Sequence, residues 1–204
     1  MNRIHLGDSF RLYLDNTMKP TTVEILKQTV DSYRVMIDRT VAQLTDAEFF
    51  QRPSPEINSV AVILRHLGGN LASRWTNFLT TDGEKETRDR DKEFTDWHGT
   101  RVELMEYFDL GWKTLLAAMD EINATNINHE IKIRGESHTV IQALVRSVTH
   151  LTYHVGQISL VSRLVHDGQW DWLTIAPNRS GDFNEETWGT SKSRAVFDVD
   201  KETN

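Results

Sequence analysis

Apolar residues recur every three or four positions in four separate stretches of the chain, and each stretch predicts an amphipathic helix. In the first, from Lys19 with Pro20 suited to the opening turn, the stripe is Leu26, Val30, Tyr33, Ile37, Val41 and Leu44. Glu24, Asp31 and Asp38 make an acidic row on its other side, the pattern of a solvated face. Pro53 and Pro55 interrupt the chain. Asn58 or Ser59 can then cap a second helix, reaching Leu79, on Ile63, Leu64, Leu67, Leu71, Trp75 and Phe78. Thr100 and Glu103 have capping-box spacing and open a third stripe of Met105, Phe108, Trp112, Leu115, Met119 and Ile122. Thr139 and Gln142 open a fourth, through Val140, Leu144, Val148, Leu151, Val155, Ile158 and Leu164, with Gly168 as its stop.

The intervening segments read differently. Residues 80–94, TTDGEKETRDRDKEF, are dense in mixed charge and nearly free of apolar side chains, which predicts a long connection over the surface. Ile127, Ile131 and Ile133 alternate with polar residues, which suggests an extended arm or short strand turning at Arg134, Gly135 and Glu136; one such segment predicts no sheet. An aromatic-rich loop, QWDWLTIAPNRSGDFN, follows Gly168, and the polar end from Glu185 predicts a poorly packed tail. The expectation is an all-α chain with no internal repeat: one domain over residues 1–184 and a tail over 185–204.

Composition narrows the function. At 204 residues, with 38% apolar and 26% charged side chains, the chain can build a core and is neither fibrous nor low in complexity. Thirty acidic against 23 basic residues give a net charge of −7 with no basic run, which argues against nucleic acid as a partner. The absence of cysteine removes disulfides, thiolate metal sites, iron–sulfur clusters and cysteine nucleophiles, so any sulfur chemistry belongs to the substrate. The opening MNRIHLGDSF does not read as a secretory leader and no apolar run suits a membrane span, so the expected location is the cytoplasm.

Candidate chemistry lies with three histidines beside the apolar stripes. His150 and His154 in HLTYH are four apart, so on a helix their rings share a face and can hold one ion, although such pairs also arise by chance. They fall in line with Ala143, Ser147 and Gln157, small or polar positions that leave room for an ion and a substrate. His66 lies in a similar line with Ser59, Val62, Gly69, Asn70 and Ser73. Leu151 stands where a zincin needs glutamate, no Glu-x-x-His occurs, and neither helix carries a carboxylate near these histidines; all three ligands would be neutral nitrogens. Asn70 and Arg74, one and two turns beyond His66, and Tyr153 and Gln157, flanking the pair, are candidates for contacting substrate or for plain packing. His5, His98, His129, His138 and His166 read as solvated.

Together RHLGGNLASRW, FLTTDGEKETRDRDKEF, IKIRGESHTV and HLTYHVGQI resemble the DinB/YfiT-like superfamily over about residues 20–184. The similarity is greatest to a subgroup of unknown function whose segment after the fourth helix resembles WLTIAPNRSGDFN, although Ala176 to Ser180 depart from the glycine-containing loop expected there. The resemblance implies an up-down-down-up four-helix bundle, often a homodimer, with a divalent ion, zinc or nickel, on three histidines that map onto His66, His150 and His154. Some relatives are similar to bacillithiol or mycothiol S-transferases, to glutathione-dependent isomerases or to hydrolases. The resemblance thus implies a metal-dependent transferase or hydrolase that activates a thiol or water for a small-molecule substrate, with a low-molecular-weight thiol as one candidate. The rival expectation is a noncatalytic metal-binding stress-response bundle; a regulatory metal sensor would lack a DNA-reading element here.

Overall fold

Residues 21–188 are described by the computed structural model. Their elements run α1 (Thr22–Ala42), α2 (Asp46–Phe50), α3 (Val60–Trp75), α4 (Arg90–Glu93), α5 (Arg101–Glu121), β1 (Glu130–Ile133), β2 (Glu136–Thr139), α6 (Val140–Val165) and α7 (Ser180–Thr187). The described residues are mostly helical, with one small two-stranded sheet among them. Among the described residues no helix is long and apolar enough to cross a membrane.

Side-chain caps set the helix starts. Reciprocal capping boxes join Thr100 to Glu103 and Thr139 to Gln142 as the spacing predicts, and Ser59 caps α3 by accepting the Val62 N–H at 3.2 Å. Two further boxes close at starts that the apolar spacing does not mark. Thr21 with Glu24 caps α1 ahead of Thr22, so Glu24 is a capping residue, while the expected start at Lys19 lies outside the described residues; Thr45 with Glu48 builds the unforeseen α2. Helix ends also differ from the expected ones. The α3 helix stops at Trp75, where the Thr76 N–H reaches Ala72 O and Asn77 turns the chain at φ 48°, not at Leu79. The α6 helix stops at Val165, with His166 as its cap.

Four long helices share one core. Helix α3 packs on α5 and α6, and α1 packs on α6 and α5. Val30, Ile37, Leu64, Leu67, Leu71, Phe108, Leu115, Leu144 and Leu151 are fully buried. The α3 and α5 backbones meet closely, because a Cβ on Gly111 would lie 2.3 Å from the Gly68 carbonyl oxygen. At its far end the α6 stripe departs from expectation: Val161 and Val165 enter the core while Leu164 faces outward.

The connections are more ordered than their composition implies. Rather than an isolated arm, β1 and β2 form an antiparallel hairpin with Glu130 opposite Thr139 and Ile133 opposite Glu136. The following segment supplies the partner strand through a two-residue turn, Arg134 at φ 55° and Gly135 at φ 77°. Asp82 accepts the backbone N–H groups of both turn residues, at 2.8 and 2.7 Å. Nor does the 80–94 connection simply cross the surface. Ser73 on α3 ties it down by donating to Gly83 O and accepting the Lys85 N–H, and α4 brings a buried glutamate back against α3. After α6, Arg39 donates to the carbonyls of Trp172 and Leu173, and α7 follows unforeseen. Residues 1–20 and 189–204, which include His5, Pro20 and most of the expected tail, lie outside the described residues.

Candidate metal centre

Packing of α3 on α6 brings His66 to the pair His150 and His154. The Nε2 of His150 lies 3.2 Å from that of His66 and 3.1 Å from that of His154, and the three ligand nitrogens fall within 4.8 Å of one another. Phe94 lies over the His66 ring, with centroids 4.7 Å apart.

Hydrogen bonding at the outer ring nitrogens decides what these rings present to one another. The Nδ1–H of His66 donates to Glu93 Oε2 at 2.9 Å, and the Nδ1–H of His154 donates to Gln157 Oε1 at 2.7 Å. A neutral imidazole protonated at Nδ1 carries a lone pair at Nε2, so two lone pairs point at His150 Nε2. A single proton on that atom can satisfy one of them at most. Burial first, then the neighbouring His154 and His66 and the Arg74 and Arg88 guanidiniums, push His150 down to about 3. Burial and His66 push His154 down to about 4, against the opposing bond to Gln157. The His150 and His154 rings are therefore neutral at neutral pH, the form in which an imidazole nitrogen can bind a metal ion. A divalent cation at the focus would satisfy all three nitrogens, and metal–nitrogen bonds of about 2.0–2.1 Å set such ligands on the order of 3 Å apart, in keeping with the observed spacing. The residues fit a metal ion.

Support for His66 comes from a residue the helical stripes could not reveal. Glu93 is only 4% exposed and accepts, besides His66, the Nε and Nη2 of Arg88 at 2.8 and 2.7 Å. Burial raises its carboxyl, but the bonds from His66 and Arg88 outweigh this and hold it below the usual glutamate value. Arg88 also reaches Glu84 at 3.1 Å. Room for Glu93 is made by Gly69, where an added Cβ would sit 2.2 Å from Glu93 Oε1. The carboxylate–histidine pairing typical of metal ligands is thus present, with its carboxylate supplied by the charged connection.

A cavity of about 180 Å³ opens beside the histidines and is lined by His66, His150, Asn70, Arg74, Ala143 and Ser147, among others. Asn70 and Arg74 thus line the cavity, one and two turns beyond His66, and Ala143 and Ser147 line it from α6. Of the other two candidates, Gln157 fixes His154, whereas Tyr153 is 65% exposed and sets its ring 5.2 Å from the His154 ring. His166 is half-buried against Glu48 and Trp170, not solvated as expected.

With this geometry in place, the chain belongs to a family described as protein of unknown function (DUF1572), whose model matches residues 18–179. No curated protein matches the sequence. Among solved structures it is similar to the crystal structure of a conserved protein from Enterococcus faecalis, at 21% identity over 72% of this chain and 98% of that chain, with a TM-score of 0.56. At that identity the likeness speaks to fold alone.

Proposed function

We propose that this chain is a metal-dependent enzyme of the DinB/YfiT-like kind. In this reading α1, α3, α5 and α6 form an up-down-down-up four-helix bundle, and His66, His150 and His154 hold a divalent ion, zinc or nickel. One observation carries it: three imidazole Nε2 atoms share a focus while the opposite nitrogens of His66 and His154 are committed to Glu93 and Gln157. When bound to three neutral nitrogens, the ion would supply the Lewis acidity that makes a thiol or a water nucleophilic near neutral pH.

The chain's own residues do the rest. Glu93 and Gln157 hold His66 and His154 in the tautomer that leaves Nε2 free to bind. Glu93 is engaged by His66 and Arg88, so it is no free base for the cavity, and no carboxylate is among the described residues lining it. Asn70 and Ser147 offer polar groups that can orient a small substrate. Since the sequence has no cysteine, a thiol must enter as a low-molecular-weight co-substrate. The favoured reaction is transfer of that thiol to an electrophile, with hydrolysis as the second. The same reading takes the chain as a homodimer. Tyr153, Leu160 and Leu164, exposed by 65, 58 and 59%, lie along one face of α6 and suit a second copy.

The test is an electrophile screen with and without a low-molecular-weight thiol, run on metal-loaded and chelated protein. Metal-dependent formation of a thioether supports S-transfer, and metal-dependent cleavage without thiol supports hydrolysis. Full metal occupancy with no turnover across the screen would favour the noncatalytic stress-response bundle over an enzyme.

A further inference from the structure

Although the whole chain carries a net charge of −7, the described residues that line the cavity beside the histidines include five arginines and no carboxylate. These come from four separate segments: Arg74 from α3, Arg88 and Arg90 from the connection, Arg134 from the hairpin turn and Arg146 from α6. Two carboxylates behind them cancel part of the charge, Glu84 pairing with Arg88 and Arg134, and Glu93 with Arg88. Among the described residues no carboxylate forms an ion pair with Arg74, Arg90 or Arg146. Arg146 instead meets His138 Nε2 at 3.0 Å, and Arg90 lies over the Phe94 ring at 4.9 Å.

Arg74 is the most informative of the five. It is only 9% exposed, and its Nη1 is buried with no hydrogen-bond partner among the described residues. A guanidinium so placed is expensive unless something supplies negative charge or acceptors. Burial, and then the nearby Arg146, lower its pKa to about 10, where it is still a cation at neutral pH. We infer that this cavity binds a small multivalent oxyanion, a phosphoryl or dicarboxylate group, gripped by Arg74 and Arg146 next to His66 and His150. Planar guanidinium forks match both oxyanion types. With a volume of about 180 Å³, against roughly 300–1,000 Å³ for pockets that take drug-sized ligands, the cavity suits a head group rather than a nucleotide.

The anion site stands on the arginines alone; that the anion belongs to the substrate of the metal centre rests on the function proposed above. Where that function holds, the substrate or its thiol partner carries such a group, and the arginines orient its reactive end toward the histidine focus.

The experiment is calorimetric titration of the full chain, metal-free and zinc-loaded, with inorganic phosphate, malonate and acetate at constant ionic strength. Phosphate or malonate should bind both forms more tightly than acetate, and whichever of the two is preferred names the group. Binding should weaken at least about tenfold in Arg74→Gln and in Arg146→Gln, the loss expected when a charge-assisted pair is removed. The exposed Arg146 variant keeps the test open if Arg74→Gln fails to fold. Arg163→Gln, on the Trp172 ring far along α6, should bind as the parent does. Three results would overturn the proposal: no dianion binding to either form, wild-type affinity in both cavity variants, or binding confined to zinc-loaded protein and indifferent to the arginines. Loss of zinc in histidine variants that still bind the anion metal-free would leave this inference standing, whereas failure of zinc to bind at all would sink the metal reading alone.

Discussion

Replacing Glu93 by glutamine keeps the shape of the side chain and removes its charge, and it strikes both the fold and the histidine focus. The carboxylate accepts three hydrogen bonds, from His66 Nδ1 at 2.9 Å and from Arg88 Nε and Nη2 at 2.8 and 2.7 Å. An amide has one accepting oxygen, so if that oxygen keeps His66, the NH2 group is turned against an Arg88 donor. Removing one member of a buried ion pair costs about 3–5 kcal/mol, and because Glu84 stays on Arg88 at 3.1 Å we expect about 3 kcal/mol, at the low end. For a chain of this size that lowers the melting temperature by about 6–12 °C. Loss of an outer partner of a ligating histidine weakens metal affinity by about 10–100-fold, or about 1.4–2.7 kcal/mol. Thermal melting of metal-free protein reads the first effect, and zinc competition against a chromogenic chelator reads the second. An unchanged zinc affinity in Glu93→Gln would refute the claim that Glu93 orients His66, and an unchanged metal-free melting temperature would refute the stabilising role of the Arg88 pair.

Further outcomes follow from the same geometry. Gly69→Ala should weaken zinc binding as Glu93→Gln does, because its Cβ would sit 2.2 Å from Glu93 Oε1; parent-like affinity would show that the carboxylate can shift without harm. Metal-free protein should lose stability in mild acid. The unfolded chain takes up protons at His150 and His154 below about 6.5, while the folded rings resist down to about 3 and about 4, so stability present above 6.5 drains as pH falls through that window. Melting curves from pH 7 to 4 check this, and a flat profile would contradict it. Light scattering should give a dimer mass that Leu160→Glu with Leu164→Glu converts to a monomer; a parent that is monomeric throughout would remove the α6 face as an interface.

What was legible in the sequence follows from periodicity. The four stripes are long enough for apolar spacing to outweigh local ambiguity, and His66, His150 and His154 were readable because helical geometry puts each beside its stripe and a family resemblance joins the three. Helix ends were less so, since Thr21 and Thr45 cap through glutamates that resemble ordinary surface charge. The part that escaped is the part that supports and charges the site. Glu93, Arg88 and Arg134 lie on a connection and a turn, where no period relates residue number to direction, and the same mixed charge describes a solvated loop. Tertiary contacts fold that segment back: Ser73 and the space at Gly69 hold it on α3, and Asp82 ties it to the hairpin turn.

The central claim is that three neutral imidazoles form one metal site, and metal analysis of tag-free protein tests it most directly. Protein exposed to zinc or nickel and then freed of unbound ion should retain about one divalent ion per chain. His66→Ala, His150→Ala and His154→Ala should each lose it while keeping the parent's helical content, because the core is built by leucine and valine stripes and not by the ion. A parent that retains no metal, or variants that all retain it in full, would contradict the account.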